Sequence, residues 1–294
     1  MTESPLRFGA YILQDAPFPD LAARWQEAEA LGFDQIWLAD HTRDWRDPGG
    51  YWFDGWTALA ALAGHTQRAR IGPLVSNPLL RPPAVLARLA TTVDHLSGGR
   101  LELGIGTGIA GFDHDAVGIP YWSMGERIGR FGEYVDIVDQ LLSRAPDSVA
   151  FDGNYLRSTG LAIVPPSVQR PRPPLTIAGQ SPTVLSIAAA RADCWNTHGP
   201  FGRSEADILQ VTRKQNSRLD HMCEQHGRDP RTLRRSLLLI DPLDAWATPD
   251  AFERIVGSFL KIGMREFVVC WPRDDQRDAF ERAVTTTIPA FRNS

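Results

Sequence analysis

Cysteine is scarce in this chain: Cys194, Cys223 and Cys270 are the whole complement, and no CxxC spacing occurs. An odd, scattered set does not build a disulfide framework and fits a reducing compartment. Long apolar runs are missing as well; none reaches the roughly 18–20 residues that a membrane-spanning helix needs. Met1–Phe8 carries Glu3, Pro5 and Arg7 and no apolar core, so no secretory leader is expected there and the default expectation is a cytoplasmic protein. There is no excess of positive charge. The 31 Lys+Arg against 35 Asp+Glu give a formal net charge of −4, which argues against nucleic acid as a partner. Neither HExxH nor a Cys/His ligand set is present, so no metal site is expected, and the lack of GxSxG speaks against covalent hydrolase chemistry. What is there is 294 residues, 43% hydrophobic and 22% charged, a soluble globular balance that excludes disordered and collagen-like chains.

Apolar runs predict strands at 6–13, 35–39, 69–75, 101–105, 175–178, 194–197, 236–240 and 266–270. Helical spacing predicts helices at 20–31, 54–63, 83–96, 123–142, 182–191, 204–226, 249–262 and 275–291. Asp20 is a candidate N-cap, and Gly32 and Gly263 are candidate stops. In the third helix, Val85, Leu86, Leu89, Val93 and Leu96 are expected on one buried side. Near-continuous apolar strands alternating with amphipathic helices imply a parallel sheet covered on both faces. Eight such units predict a single α/β domain over residues 1–294, a (β/α)8 TIM barrel, with an open doubly wound sheet as the alternative.

Chemistry in such barrels collects where strands end and βα loops begin. The polar residues at those points are Gln14-Asp15, Asp40-His41, Ser76-Asn77, Gly106-Thr107-Gly108, Gly179-Gln180-Ser181, His198, Asp241 and Arg273. His41 is the candidate for proton transfer, because an ordinary imidazole pKa of about 6.5 suits general acid–base work at neutral pH. The alternative is a capping aspartate beside a surface histidine. Gly106 to Gly111 spells G-x-G-x-x-G, but it follows the fourth strand and no helix is expected at its third glycine. It reads as a permissive loop that lets a flat ligand approach the backbone. Gly179-Gln180-Ser181 precedes Pro182 at a helix start, where outward N–H groups suit a phosphate; an ordinary Ser181 N-cap is the alternative. Asp113-His114-Asp115 reads as a solvated loop, since three adjacent residues rarely converge on one ion. Trp45, Trp52 and Trp56 are expected to pack, with a ligand wall as their second use.

Several of these runs resemble the bacterial luciferase-like flavin and deazaflavin oxidoreductases. They are Ala30 to His41, Arg70 to Ser76 followed by Arg81 to Ala87, Leu96 to Gly106, Gly125-Glu126-Arg127, and Ile177-Ala178-Gly179 through Ala192-Asp193, in family order. The resemblance implies a TIM barrel that carries reduced FMN for oxygenation or coenzyme F420 for hydride transfer. Trp37 to His41 is similar to the deazaflavin branch, where the aspartate and histidine lie beside the ring. By the same resemblance, Leu74-Val75, with Ser76 next to it, is the bulge on which the ring rests, usually with a non-proline cis peptide. Thr107 and Gly108 approach the cofactor, and Gly179, Gln180 and Ser181 take its phosphate. A subgroup that oxidises sugar phosphates has glutamate where this chain has Ile109, and its Lys/Arg set is not evident here. The resemblance therefore implies an F420-dependent oxidoreductase acting on a small organic substrate, with reduction of C=C or C=N preferred. In that reading His41 is catalytic and Asp40 orients its ring or holds its proton. An FMN-dependent monooxygenase is the alternative, and a cofactor-free binding or partner subunit a further one. A homodimer is compatible with the sequence.

Overall fold

The computed structural model describes residues 5–293, so the first four residues of the Met1–Phe8 segment lie outside the described residues. Eight short strands make one sheet: β1 Arg7–Tyr11, β2 Gln35–Leu38, β3 Arg70–Pro73, β4 Leu103–Ile105, β5 Leu175–Ala178, β6 Cys194–Thr197, β7 Arg234–Leu239 and β8 Glu266–Cys270. Their order is β3-β2-β1-β8-β7-β6-β5-β4, and every pairing is parallel. The two ends meet through bridges Ile71↔Leu101 and Ser76↔Ile105, which closes a (β/α)8 barrel rather than leaving an open sheet. Gly104 permits that closure. A Cβ there would lie 2.1 Å from the Pro73 carbonyl oxygen, so only glycine lets β4 approach β3.

The helices outside the barrel are α1 Phe18–Ala30, α2 Gly55–His65, α3 Pro83–Leu96, α4 Met124–Ser143, α5 Pro182–Arg191, α6 Glu205–Gln225, α7 Ala251–Leu260 and a C-terminal run α8 from Arg277 to Asn293. Each buries an apolar stripe on the sheet; Leu21, Trp25 and Ala28 do so in α1. Asp20 sits in the first turn of α1 and Pro17 holds the N-cap position, which corrects the expected cap. In α3 the buried stripe runs through Leu86, Ala87, Ala90 and Val93, while Val85 and Leu96 face solvent. Two elements were not expected. An antiparallel hairpin pairs Val149–Asp152 with Arg157–Leu161, and a short helix Gly111–Val117 lies in the loop after β4.

The N-terminal end of the barrel is plugged by ionic side chains. Arg234 donates to Glu266 at 2.7 Å and to Glu102 at 3.0 Å, and Arg70 donates to Glu102 at 2.6 Å. Burial opposes the charge on Glu102, yet Arg234 and Arg70 outweigh it and hold its pKa down, whereas burial pushes Glu266 up. Ionic side chains thus occupy the barrel interior at this end, and the residues singled out by sequence gather at the opposite one. Among the described residues no helix is long and apolar enough to cross a membrane.

Candidate active site

At the C-terminal end of the strands lies a cavity of about 470 Å³. It receives Tyr11 from β1, His41 and Trp45 from the loop after β2, and Leu74 to Asn77 after β3. Gly106 to Ala110 and Phe112 follow β4, Ala178 to Gln180 come from β5, Asn196 to His198 and Phe201 from β6, and Leu238 and Ile240 from β7. Of the residues singled out by sequence, His41, Leu74, Val75, Ser76, Thr107, Gly108, Gly179 and Gln180 are brought together here. Asp40 and Ser181 are not part of this lining.

His41 is fixed from several sides. Its Nδ1 bonds Asp113 Oδ2 at 2.6 Å, its ring centroid lies 5.3 Å from Trp45 and 5.4 Å from Phe112, and Trp52 donates to its carbonyl at 2.7 Å. With Nδ1 committed, Nε2 is the nitrogen left for a ligand in the cavity. Asp113 is fully buried and also accepts from the Thr42 amide at 2.8 Å, the Thr42 hydroxyl at 2.7 Å and Asn77 Nδ2 at 2.8 Å. Burial works against its charge, but the bonds from His41 and Thr42 prevail and hold the carboxyl below its ordinary pKa. It is therefore a carboxylate, and the shared proton sits on the imidazole.

This corrects three expectations. Asp113 and His114 are buried parts of a short helix and not a solvated loop, and that helix begins at Gly111, the third glycine of the G-x-G-x-x-G run. Asp113, not Asp40, orients His41. Asp40 lies behind the cavity wall, where it pairs with Arg81 and accepts from the Asn77 amide at 2.9 Å. Burial pushes the Asp40 carboxyl up, against the pull of Arg81 and that amide. Its work is to hold the β3 loop, since Asn77 carries both its bond and the one from Asp113. Local spacing gave no sign of Asp113, because its partners stand 36 and 72 residues away.

After β3 and β4 the backbone beside the cavity takes unusual forms. The Leu74–Val75 peptide is cis, at the position the family resemblance implies. Gly108 has a φ of +67°, and a Cβ on it would lie 2.8 Å from Asn77 Oδ1, so the chain turns there without a side chain. Ser181 spends its hydroxyl on its own helix, accepting from the Val184 amide at 3.4 Å, as the alternative N-cap reading had it. Of the tryptophans, Trp45 lines the cavity, Trp56 donates to Ser76 Oγ at 2.9 Å and Trp52 braces His41.

A second histidine completes the lining. His198 ends β6, with its ring centroid 4.3 Å from that of Phe201. Burial pushes its pKa down, although nearby backbone groups of Gly199 and His198 favour the charged form, so the ring is neutral at neutral pH. Its Nδ1 is buried without a hydrogen-bond partner.

Closed barrel, strand-end cavity and clamped histidine define a (β/α)8 enzyme-type site in which a flat ligand can lie beside glycine turns. The chain belongs to the luciferase-like monooxygenase family, whose model matches residues 3–247. An F420-dependent glucose-6-phosphate dehydrogenase of Nakamurella multipartita is 31% identical over 197 residues, covering 66% of this chain and 56% of that protein. A protein of the same description from Intrasporangium calvum is 28% identical over 315 residues, covering 90% of this chain and 92% of the relative. In the first-matched relatives the chain spans little more than half of their length. The structure of the F420-dependent tetrahydromethanopterin reductase of Methanopyrus kandleri superposes with a TM-score of 0.79 at 19% identity, covering 98% of this chain and 100% of that one. At that identity the likeness is one of fold.

Proposed function

We propose that this chain is an oxidoreductase that binds coenzyme F420 in the strand-end cavity and exchanges a hydride with a small organic substrate, reducing a polarised C=C or C=N bond. The observation that carries the reading is the buried Asp113 carboxylate clamping His41 at the edge of the strand-end cavity. The F420-dependent descriptions of the relatives support the choice of cofactor.

The residues present fit such a group. The cis Leu74–Val75 peptide and the glycine turn at Gly108 put backbone beside the place for a flat ring, and Gly106, Gly108 and Gly179 add no side chain to the lining. The loop Gly179 to Ser181 before α5 would hold the phosphate on the Gln180 and Ser181 amides, since the Gly179 amide already donates to the Asn196 carbonyl at 3.3 Å. The chemistry that F420 in its reduced form would supply there is a hydride for the substrate. His41 delivers the accompanying proton from Nε2 to the other atom of the reduced bond, so that one hydride and one proton add across it. Asp113 keeps the Nδ1–H in place throughout, fixing which nitrogen faces the substrate. Trp45 and Phe112, packed on the imidazole, limit water around it.

Oxygen dependence tests the proposal. Reduced F420 is expected to be oxidised by an activated alkene or a cyclic imine under strictly anaerobic conditions. Turnover that appears only with reduced FMN and oxygen would replace this reading with that of a monooxygenase.

A further inference from the structure

The cavity's polar lining is nearly all spoken for. Ser76 accepts from Trp56, Asn77 bonds Asp113 and the Leu79 amide, Gln180 donates to the Gly199 carbonyl, Asn196 donates to Ser236, and Thr197 accepts from the Gly199 amide. Among the described residues no Lys, Arg, Asp or Glu lines it. Apart from His41, the lining side chains that make none of these bonds are Tyr11, Trp45, Thr107 and His198, and the Ser76 and Thr197 hydroxyls still have an O–H to donate. Tyr11 is 5% exposed on the cavity floor, and Thr107 stands on the β4 side with the glycine turn.

His198 stands elsewhere. In the closed order of eight strands, β2 and β6 are four places apart, so His41 and His198 descend from opposite sides of the barrel mouth. The cis peptide and the glycine turns lie after β3, β4 and β5. The remaining wall, from β6 and β7, offers His198 among Phe201, Leu238 and Ile240. Ile109 and Phe201, 54% and 63% exposed, carry the apolar surface out to the rim.

We propose that His198 is the residue that orients the substrate, by a hydrogen bond to a carbonyl oxygen or imine nitrogen conjugated with the reacting bond, and that the substrate is uncharged with an apolar body. The inference rests on the preceding reading, which places the cofactor on the β3–β5 side. A neutral imidazole carries one N–H and one bare nitrogen, so it can donate to a carbonyl without bringing charge into an apolar wall. Phe201 packs on the imidazole, with centroids 4.3 Å apart and ring planes tilted by 30°. A phosphorylated sugar has no Lys or Arg to meet in this lining, and desolvating its phosphate there is unfavourable.

Calorimetry on the F420-loaded protein tests the inference, with cyclohex-2-enone and glucose 6-phosphate as probes. Saturable binding of the enone, and none of glucose 6-phosphate, is expected. His198→Ala should weaken enone binding about ten-fold, the worth of one hydrogen bond, and His198→Gln, which keeps a donor and an acceptor, should restore it to within about threefold. Both variants should bind F420 as the wild type does, which a collapsed site would not. Enone binding unchanged in His198→Ala, no saturable enone binding, or tighter binding of glucose 6-phosphate would each overturn the inference. If the wild type fails to bind F420 at all, the earlier reading is the one that fails.

Discussion

His41 owes its usefulness to a residue 72 positions away. The Asp113 carboxylate accepts four hydrogen bonds, and only one of them comes from the histidine. In the proposed reaction His41 is the proton donor. His41→Ala should lower turnover by about 10²–10⁴-fold, the usual contribution of general acid catalysis, with F420 affinity nearly unchanged. Asp113→Asn should also lower turnover while keeping F420 affinity, because an amide can turn its own N–H toward Nδ1 and reverse the tautomer. Single-turnover kinetics beside a binding titration separate the two effects. The sign of the pH response follows from the depressed carboxyl. Asp113 stabilises the folded chain above an unfolded-state value of about 3.9, and this is lost as pH falls through its lower folded value. The gap in melting temperature between wild type and Asp113→Asn should therefore narrow on acidification below about pH 4, whereas a gap that widens there contradicts the assignment. His41 was legible because it ends a strand in a barrel pattern. Asp113 was not, because nothing near it in the chain shows the fold bringing Asn77 and Thr42 onto it.

At the scale of elements, the start of α5 carries two duties on one residue. Ser181 caps the helix, and the same turn is where an anionic group would sit. Aspartate caps as well as serine, so Ser181→Asp should leave the melting temperature close to wild type while weakening F420 binding through its charge. Ser181→Ala should do the reverse, costing about 1 kcal/mol of stability with little change in affinity. Equal affinity for F420 in wild type and Ser181→Asp would remove the phosphate assignment. The elements themselves were largely readable. Strands β5, β6 and β8 and helices α3 and α5 fall where apolar runs and flanking Pro and Gly place them. The hairpin 149–161 was not, since its second strand, Arg157–Leu161, has no fully buried position and therefore no alternating apolar signal. The Gly111–Val117 helix is only two turns long, too short to show a period. In α3 two alanines and two larger residues make the buried stripe, so the bulky Val85 and Leu96 pointed to the wrong face.

The whole molecule divides its two ends between stability and chemistry. Carboxylates and guanidinium groups fill one end of the barrel, and the other opens into the cavity. Eightfold alternation made the barrel readable, because each βα unit carries its own local signal. Closure at Gly104, and the pairing of His41 and His198 across the mouth, exist only once the ring of strands is complete. They are properties of the assembled barrel and leave no mark on any one segment. The central claim is that this cavity is built for a deazaflavin. Titrating the purified protein in parallel with F420 and with FMN, each followed by its own fluorescence, tests it most directly. Saturable micromolar binding of F420, with FMN weaker by at least about ten-fold, is the predicted result; saturable FMN binding with no response to F420 would contradict it.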